Sequence, residues 1–219
     1  MTILTCDQRS PDWYKARLGR LCSSDVNAML AEVKSGEAAG RRNLRVKLML
    51  ERLTGKAHDR DFTSQAMQDG IDREAIALAL YEAQTGLLMN HAGFIAHDTL
   101  MAGWSPDGYT DDMEGFVEAK CPIAATHLET LRTRKVPTEY LRQMRHGGFW
   151  IGGAQWGDFV SYCPEFPEFI GSTPAQLVIV RVTREQAQVQ EYETAAVKFL
   201  EECDRELASL KGWSALQPA

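Results

Sequence analysis

The sequence predicts an α/β (α+β) fold, a central mixed β-sheet flanked by helices. Three observations predict it. Both ends of the chain carry apolar residues at helical spacing, the middle carries short apolar runs separated by turn residues, and 219 residues suffice for one substantial core. No repeat, low-complexity tract or Pro/Ser linker interrupts the chain. A single domain over 1–219 is therefore expected, with a helical part at about 10–86, a sheet-containing core at about 92–183 and a C-terminal helix at about 184–210.

The elements follow in order. "SPDWYKAR" opens the first helix, with Ser10 as N-cap and Pro11 at the first helical position. "SDVNAMLAE" reads as a second, capped by Ser24, and the loop "KSGEAAG" separates it from "RRNLRVKLMLERLTG", which Gly55 ends. "TSQAMQDGIDREAIALALYEAQTG" is a long helix ending at Gly86, with Ile71, Ala75, Leu78 and Tyr81 on one face. "GFIA", "LMAGWS" and "GFVEAKC" are strands of a meander. A helix around Thr138 to Trp150 follows, then the strands "QWGDFVSYC" and "QLVIVRVT" and an amphipathic helix from about Arg184 to Leu210.

Composition narrows the functional classes. The 44% apolar and 25% charged fractions are ordinary for a soluble globular protein. No apolar run reaches the roughly eighteen residues of a membrane span. "MTILTCDQRSPDW" lacks the basic and apolar regions of a secretory signal. Cys6, Cys22, Cys121, Cys163 and Cys203 form no Cys-x-x-Cys pair, which argues against a zinc ribbon or disulfide framework and for a reducing cytoplasm. The net charge of −6 is unevenly spread: twelve Lys/Arg face six Asp/Glu from Arg9 to Arg60, six face two from Lys120 to His146, and two face seven from Glu185 to Leu210. A basic face for a phosphate partner would give these counts, and so would solvated helices of mixed charge.

The chemistry concentrates in "SPDGYTDDMEGFVEAK", residues 105 to 120. On a strand, Glu118 and Lys120 project to the same side. Asp107 sits in the turn "SPDG", and a hairpin joining these strands brings it beside Glu118. Two carboxylates and the Ala119 carbonyl offer the hard oxygen donors that Mg²⁺ or Mn²⁺ prefers. A nearby cation and desolvation are expected to lower the Lys120 pKa, so that Lys120 orients or deprotonates water. Asp111, Asp112 and Glu114 read as a solvated turn. Near the start, Trp13 and Arg17 share a helix face, where the indole can stack on a base, support the arginine or anchor the core. The expected helix start at Ser24 can accept a phosphate through its amides.

Taken together, "DWYKARLGRLCSSDV", "GIDRE", "SPDG…VEAKCP" and "YLRQM" resemble, in order and over most of the chain, the lambda-type exonucleases or YqaJ-type viral recombinases of the PD-(D/E)XK nuclease superfamily. The resemblance implies a PD-(D/E)XK core and a 5′→3′ exodeoxyribonuclease on double-stranded DNA, releasing mononucleotides and leaving 3′ overhangs for phage-type recombination. It implies Asp107, Glu118 and the Ala119 carbonyl as metal ligands, Glu74 as an upstream acid for a second metal, and Lys120 and Gln143 as residues that position the water or scissile phosphate. Mg²⁺, two per site, is the implied cofactor, with Mn²⁺ as a substitute. Arg17, Ser24 and Lys34, with Trp13 nearby, are the implied holders of a 5′-phosphate. A ring-shaped homotrimer, a single-strand annealing partner and a cytoplasmic setting in a bacterial host are implied as well. Basic segments would then face the DNA channel and the acidic terminal helix the exterior. The alternatives are a site- or structure-specific endonuclease on the same core and a non-catalytic DNA-end scaffold.

Overall fold

The computed structural model, which describes residues 1–58 and 65–213, divides the strands between two four-stranded mixed sheets joined by the turn that carries Asp107. The first sheet has β1 (Thr2–Leu4), β2 (Leu21–Cys22), β3 (Phe94–Ala96) and β4 (Ala102–Trp104) in the order β1-β3-β4-β2. In the second, β5 (Gly108–Tyr109), β6 (Gly115–Lys120), β7 (Trp156–Tyr162) and β10 (Leu177–Thr183) run β10-β7-β6-β5. A small hairpin of β8 (Phe169–Ile170) and β9 (Thr173–Pro174) stands apart. Since β4 ends at Trp104 and β5 begins at Gly108, "SPD" is the joint between the sheets.

The helices are α1 (Pro11–Arg17), α2 (Val26–Met29), α3 (Ala39–Thr54), α4 (Gln65–Thr85), α5 (Ala124–Thr133), α6 (Thr138–Met144) and α7 (Gln186–Trp213). Ser10 caps α1 as expected, its side chain accepting from the Trp13 amide. Gly55 and Gly86 take the left-handed conformation that ends α3 and α4. Ser24 is no N-cap: it lies within a short 3₁₀ turn (Ser23–Asp25), and the amide of Cys22 donates to Asp25 instead. The expected start of α4 at Thr63 and Ser64 lies outside the described residues.

β6 and β7 pair in parallel, which demands a crossover, and residues 121–155 supply it with α5, α6 and a wide π-type turn (Arg145–Ile151). The sequence reading missed α5, because the residues it buries are His127 and Thr130 rather than apolar ones. His127 is satisfied by Ser161 Oγ at 2.8 Å and the Ala175 carbonyl at 2.7 Å. The π turn lets Gly147 and Gly148 lie directly against Trp104 and Phe116, where any Cβ would collide with those rings.

The main core forms between the sheets, the π turn and α7. Trp104, Phe116 and Phe149 meet edge to face, with centroids 5.5 and 5.1 Å apart. α7 adds Val189, Tyr192, Ala196, Phe199 and Cys203, one apolar stripe at helical spacing. α4 covers the opposite face of the second sheet, where Ala77 and Tyr81 pack with Val117, Ala119 and Val160. The inner row of α4 is thus not the one expected. Tyr81 is buried and Leu78 partly so, but Ala75 is exposed on the wall of an open cleft, and the Ile71 side chain lies outside the described residues.

One polar anchor fixes α4 to the sheet. The buried Asp158 accepts from the Tyr81 hydroxyl at 2.8 Å and from Arg181 at 2.8 and 2.7 Å. Arg181→Met would leave that carboxylate without its cation, and a stability loss of about 3 kcal/mol is expected. A shift of the urea midpoint measures it; an unchanged midpoint would show the pair to be energetically idle.

His146 is fully buried, its Nδ1 meeting the Tyr192 hydroxyl at 2.6 Å and its Nε2 the Gly103 carbonyl at 2.9 Å. Burial pushes its pKa down to about 4. The unfolded chain takes up the proton near the ordinary value of 6.5, so between 6.5 and about 4 the unfolded state binds more protons. Stability is expected to be complete above 6.5 and to fall as the pH drops through this window, by roughly 3 kcal/mol in all. Denaturant melts at pH 7 and 4.5 should lose most of their difference in His146→Gln; an undiminished difference would assign it elsewhere.

The basic α3 and the acidic α7 do not stand apart in the fold. These helices pack together with their charges paired: Arg41 to Glu202 at 2.7 Å, Arg45 to Glu206 at 2.7 Å and Arg52 to Asp204 at 2.7 Å. Glu37 also binds Arg45. The basic excess of α3 is therefore largely neutralised within the fold. Residue counts along a chain cannot show which helices will face each other.

Candidate active site

The β5–β6 hairpin builds the first half of the site. Its register pairs Gly108 with Val117, so Asp107 stands across from Glu118. The Ala119 amide donates to Asp107 Oδ2 at 2.8 Å, locking the turn to the strand. Alternation along β6 buries Val117 and Ala119 under α4 and turns Glu118 and Lys120 to the other face. The Lys120 ammonium then lies 2.6 Å from Glu118 Oε1 and 3.8 Å from Asp107 Oδ2, and donates to the Ala119 carbonyl at 3.1 Å. The structure places these residues together as expected.

Burial pushes the Glu118 carboxyl up to about 7, with Lys120 opposing and Asp107 adding to the rise. The expected lowering of the Lys120 pKa presumed a bound cation; in the metal-free site the acids set the direction. Burial does act to lower it, but Glu118, Asp107 and Glu74 outweigh burial and hold the ammonium above its ordinary value. Three acids around one lysine favour its charged form.

Glu74 on α4 joins the cluster. Burial and the Asp107 charge raise its pKa, while Arg9, 3.1 Å away, pulls it down. A cleft of about 390 Å³ opens over Glu74 and Asp107, with Cys6, Arg9 and His91 also on its wall. The donor set fits a hard divalent cation. Carboxylates and a carbonyl converge, and the like charges that raise the Glu118 and Glu74 pKa values are those a cation would relieve. Among the described residues, no three acidic, His or Cys side chains already stand as a ligand group. Glu118 is engaged by Lys120, Asp107 by the Ala119 amide and Glu74 by Arg9.

The N-terminal residues form the second half. The Arg17 guanidinium lies 4.3 Å from the Trp13 ring centroid. It donates to Ser24 Oγ at 3.2 Å and to Ser105 Oγ at 3.3 Å, and Trp13 Nε1 donates to the same Ser105 hydroxyl at 2.8 Å. Arg17, Ser24 and Trp13 are thus brought together. Ser105, which sequence reasoning left as part of a turn, ties them to Asp107 two residues on. Trp13 supports the arginine and only partly enters the core. Lys34 stands exposed on the loop after α2, outside this hydrogen-bonded group.

Gln143 is half-buried on α6, one turn beyond Tyr140, whose ring centroid lies 5.9 Å from the Lys120 ammonium and stacks on Phe159. Tyr140 escaped the sequence reading. So did Gln8, which donates to the Pro106 carbonyl at 2.8 Å, and His91, whose Nδ1 lies 3.0 Å from the Asp107 carbonyl. Each contact spans a chain separation that no local pattern reports. Asp111 and Asp112 are exposed and spent on Asn90, Thr110 and the Glu114 amide, the turn that was expected.

The family model for the YqaJ-like viral recombinase domain matches residues 12–155, which include every one of these residues except Cys6, Gln8, Arg9 and Phe159. The chain belongs to this family. Among solved structures, an alkaline exonuclease from Laribacter hongkongensis is 36% identical, with a TM-score of 0.83 over 94% of this chain and 98% of that one. A complex of the same protein with dAMP matches equally well. A phage-related exonuclease from Haemophilus somnus 129PT is 13% identical with a TM-score of 0.63 over 87% and 96% of the two chains, a likeness of fold. No curated protein matches. The mixed sheets flanked by helices are thus the architecture of this YqaJ-like group, as the sequence predicted. Among the described residues, no helix is long and apolar enough to cross a membrane.

Proposed function

We propose that this YqaJ-like protein is a metal-dependent 5′→3′ exodeoxyribonuclease that degrades double-stranded DNA from 5′-phosphorylated ends. It would release 5′-mononucleotides and leave 3′ overhangs for phage-type recombination. The observation that carries the reading is the Lys120 ammonium held among Glu118, Asp107 and the Ala119 carbonyl, with the Arg17–Ser24 pair attached to the same turn through Ser105. The likeness to the alkaline exonuclease supports it.

Asp107, Glu118, the Ala119 carbonyl and Glu74 would hold Mg²⁺, two ions per site, with Mn²⁺ as a substitute. Bound there, the metal would supply Lewis-acid stabilisation of the negative charge that develops in the reaction. Lys120, charged and aimed along the carboxylates, orients the attacking water, and Gln143 on α6 assists at the scissile phosphate. Arg17 and Ser24 bind the terminal 5′-phosphate through charge-assisted hydrogen bonds, with Trp13 stacked behind the guanidinium. Lys34, exposed on the loop after α2, would add positive charge for the same phosphate. A homotrimeric ring around the DNA, a single-strand annealing protein as partner and a cytoplasmic setting in a bacterial host complete the proposal on the strength of the family.

Digestion of linear duplexes that differ only in 5′-phosphorylation, with a circular duplex alongside, tests the reading. Rapid loss of the phosphorylated linear strand and survival of the circle are expected. Cutting of the circle would make the protein an endonuclease, and no digestion in Mg²⁺ would leave a DNA-end scaffold.

A further inference from the structure

Among the described residues, Glu74 is the one of the three acids in the site held by a side chain from outside the second sheet, through Arg9 Nη2 at 3.1 Å. Arg9 has φ 68°, a left-handed conformation that costs a non-glycine residue roughly 1–2 kcal/mol. Its neighbours are tied down by hydrogen bonds. The Gly93 amide donates to the Leu4 carbonyl at 3.1 Å, Gln8 binds the Pro106 and Ala92 carbonyls at 2.8 and 3.3 Å, and the Ser10 amide donates to the Asp7 carbonyl at 3.1 Å. The segment is pinned on both sides of Arg9, which reaches across the cleft wall to α4. The Arg9 side chain is 42% exposed and the Glu74 side chain 25%, so the cation can leave for water more easily than the acid can.

We propose that Arg9 is a positioning residue that occupies Glu74 in the DNA-free protein and must release it when a divalent cation enters, so that Arg9 holds metal affinity down until substrate arrives. The inference rests on the metal-dependent reading of this site. An incoming cation needs the Glu74 carboxylate, whose Oε2 Arg9 now engages, and the two positive charges repel within one small cleft. The released guanidinium remains at the cleft wall, placed to meet a backbone phosphate of the DNA. Phosphate and metal then favour the same state of Arg9, which couples their binding.

Titration of the DNA-free protein with Mn²⁺, followed by calorimetry or by the electron paramagnetic resonance of the unbound ion, tests this without any turnover. Arg9→Gly removes the guanidinium and also relieves the left-handed backbone, so it should fold at least as well as the parent. It is expected to bind Mn²⁺ about threefold to tenfold more tightly, the yield of freeing one partly exposed ion pair. Arg9→Lys, which keeps the charge, should stay within about twofold of the parent. Arg9→Asn, which also tolerates the left-handed conformation, should repeat the glycine result if Arg9→Gly proves unsound. Affinity that is unchanged or weaker in the glycine and asparagine variants would overturn the role of Arg9 while leaving the metal site intact. Absence of Mn²⁺ binding in the parent and every variant would overturn the metal site and the inference together.

Discussion

Replacing Lys120 with alanine is expected to lower the rate of cleavage roughly 10³-fold while leaving duplex binding within about threefold. The ammonium touches Glu118, Asp107 and the Ala119 carbonyl, yet 27% of its side chain still faces solvent, where the scissile phosphate must enter. A residue so placed serves the chemical step. Its loss removes the charge that orients water and leaves Glu118 and Asp107 facing each other without the intervening cation. Part of that repulsion is relieved when metal is bound, so the folded structure should survive. Single-turnover rates in Mg²⁺ and fluorescence anisotropy with labelled duplex separate the two effects. A variant with full activity would remove Lys120 from the mechanism.

The second large effect concerns Arg17. In the proposed reading, phosphorylated 5′ ends are degraded faster than hydroxyl ends because one guanidinium and the Ser24 hydroxyl grip the terminal phosphate. A charge-assisted hydrogen bond contributes about 1.5–3 kcal/mol, a preference of roughly tenfold to a hundredfold. Arg17→Ala should collapse that preference to within about twofold, mainly by slowing the phosphorylated substrate. Rates on paired duplexes measure it, and a preserved preference would place the phosphate elsewhere. The variant also strips a donor from Ser105 Oγ, which keeps its bond to Trp13. Rates on hydroxyl ends report whether the Ser105–Asp107 turn has moved.

Much of the site was legible because its parts are local. Glu118 and Lys120 share a face by strand alternation, and Asp107 meets them through one short hairpin whose turn residues are explicit. Trp13 and Arg17 share a face by helical spacing. The reading failed where buried polar groups replaced an apolar stripe, as at His127 and Thr130 of α5, and where a serine had two uses. Ser24 looked like a helix cap, but its hydroxyl accepts from Arg17. The Lys120 pKa in the metal-free site likewise depends on how many carboxylates gather around one amine.

The sequence by itself determined the strand and helix periods, the hairpin that pairs two carboxylates with a lysine, and the motifs that mark a YqaJ-like chain. These depend on contacts a few residues apart, which the backbone period sets directly. Only the tertiary structure decided that the basic α3 is neutralised by α7, that Ser105 links the Arg17 group to Asp107, and that Arg9 reaches Glu74 from 65 positions away. Those contacts arise when burial of the core brings distant segments together, and electrostatic outcomes follow from that packing.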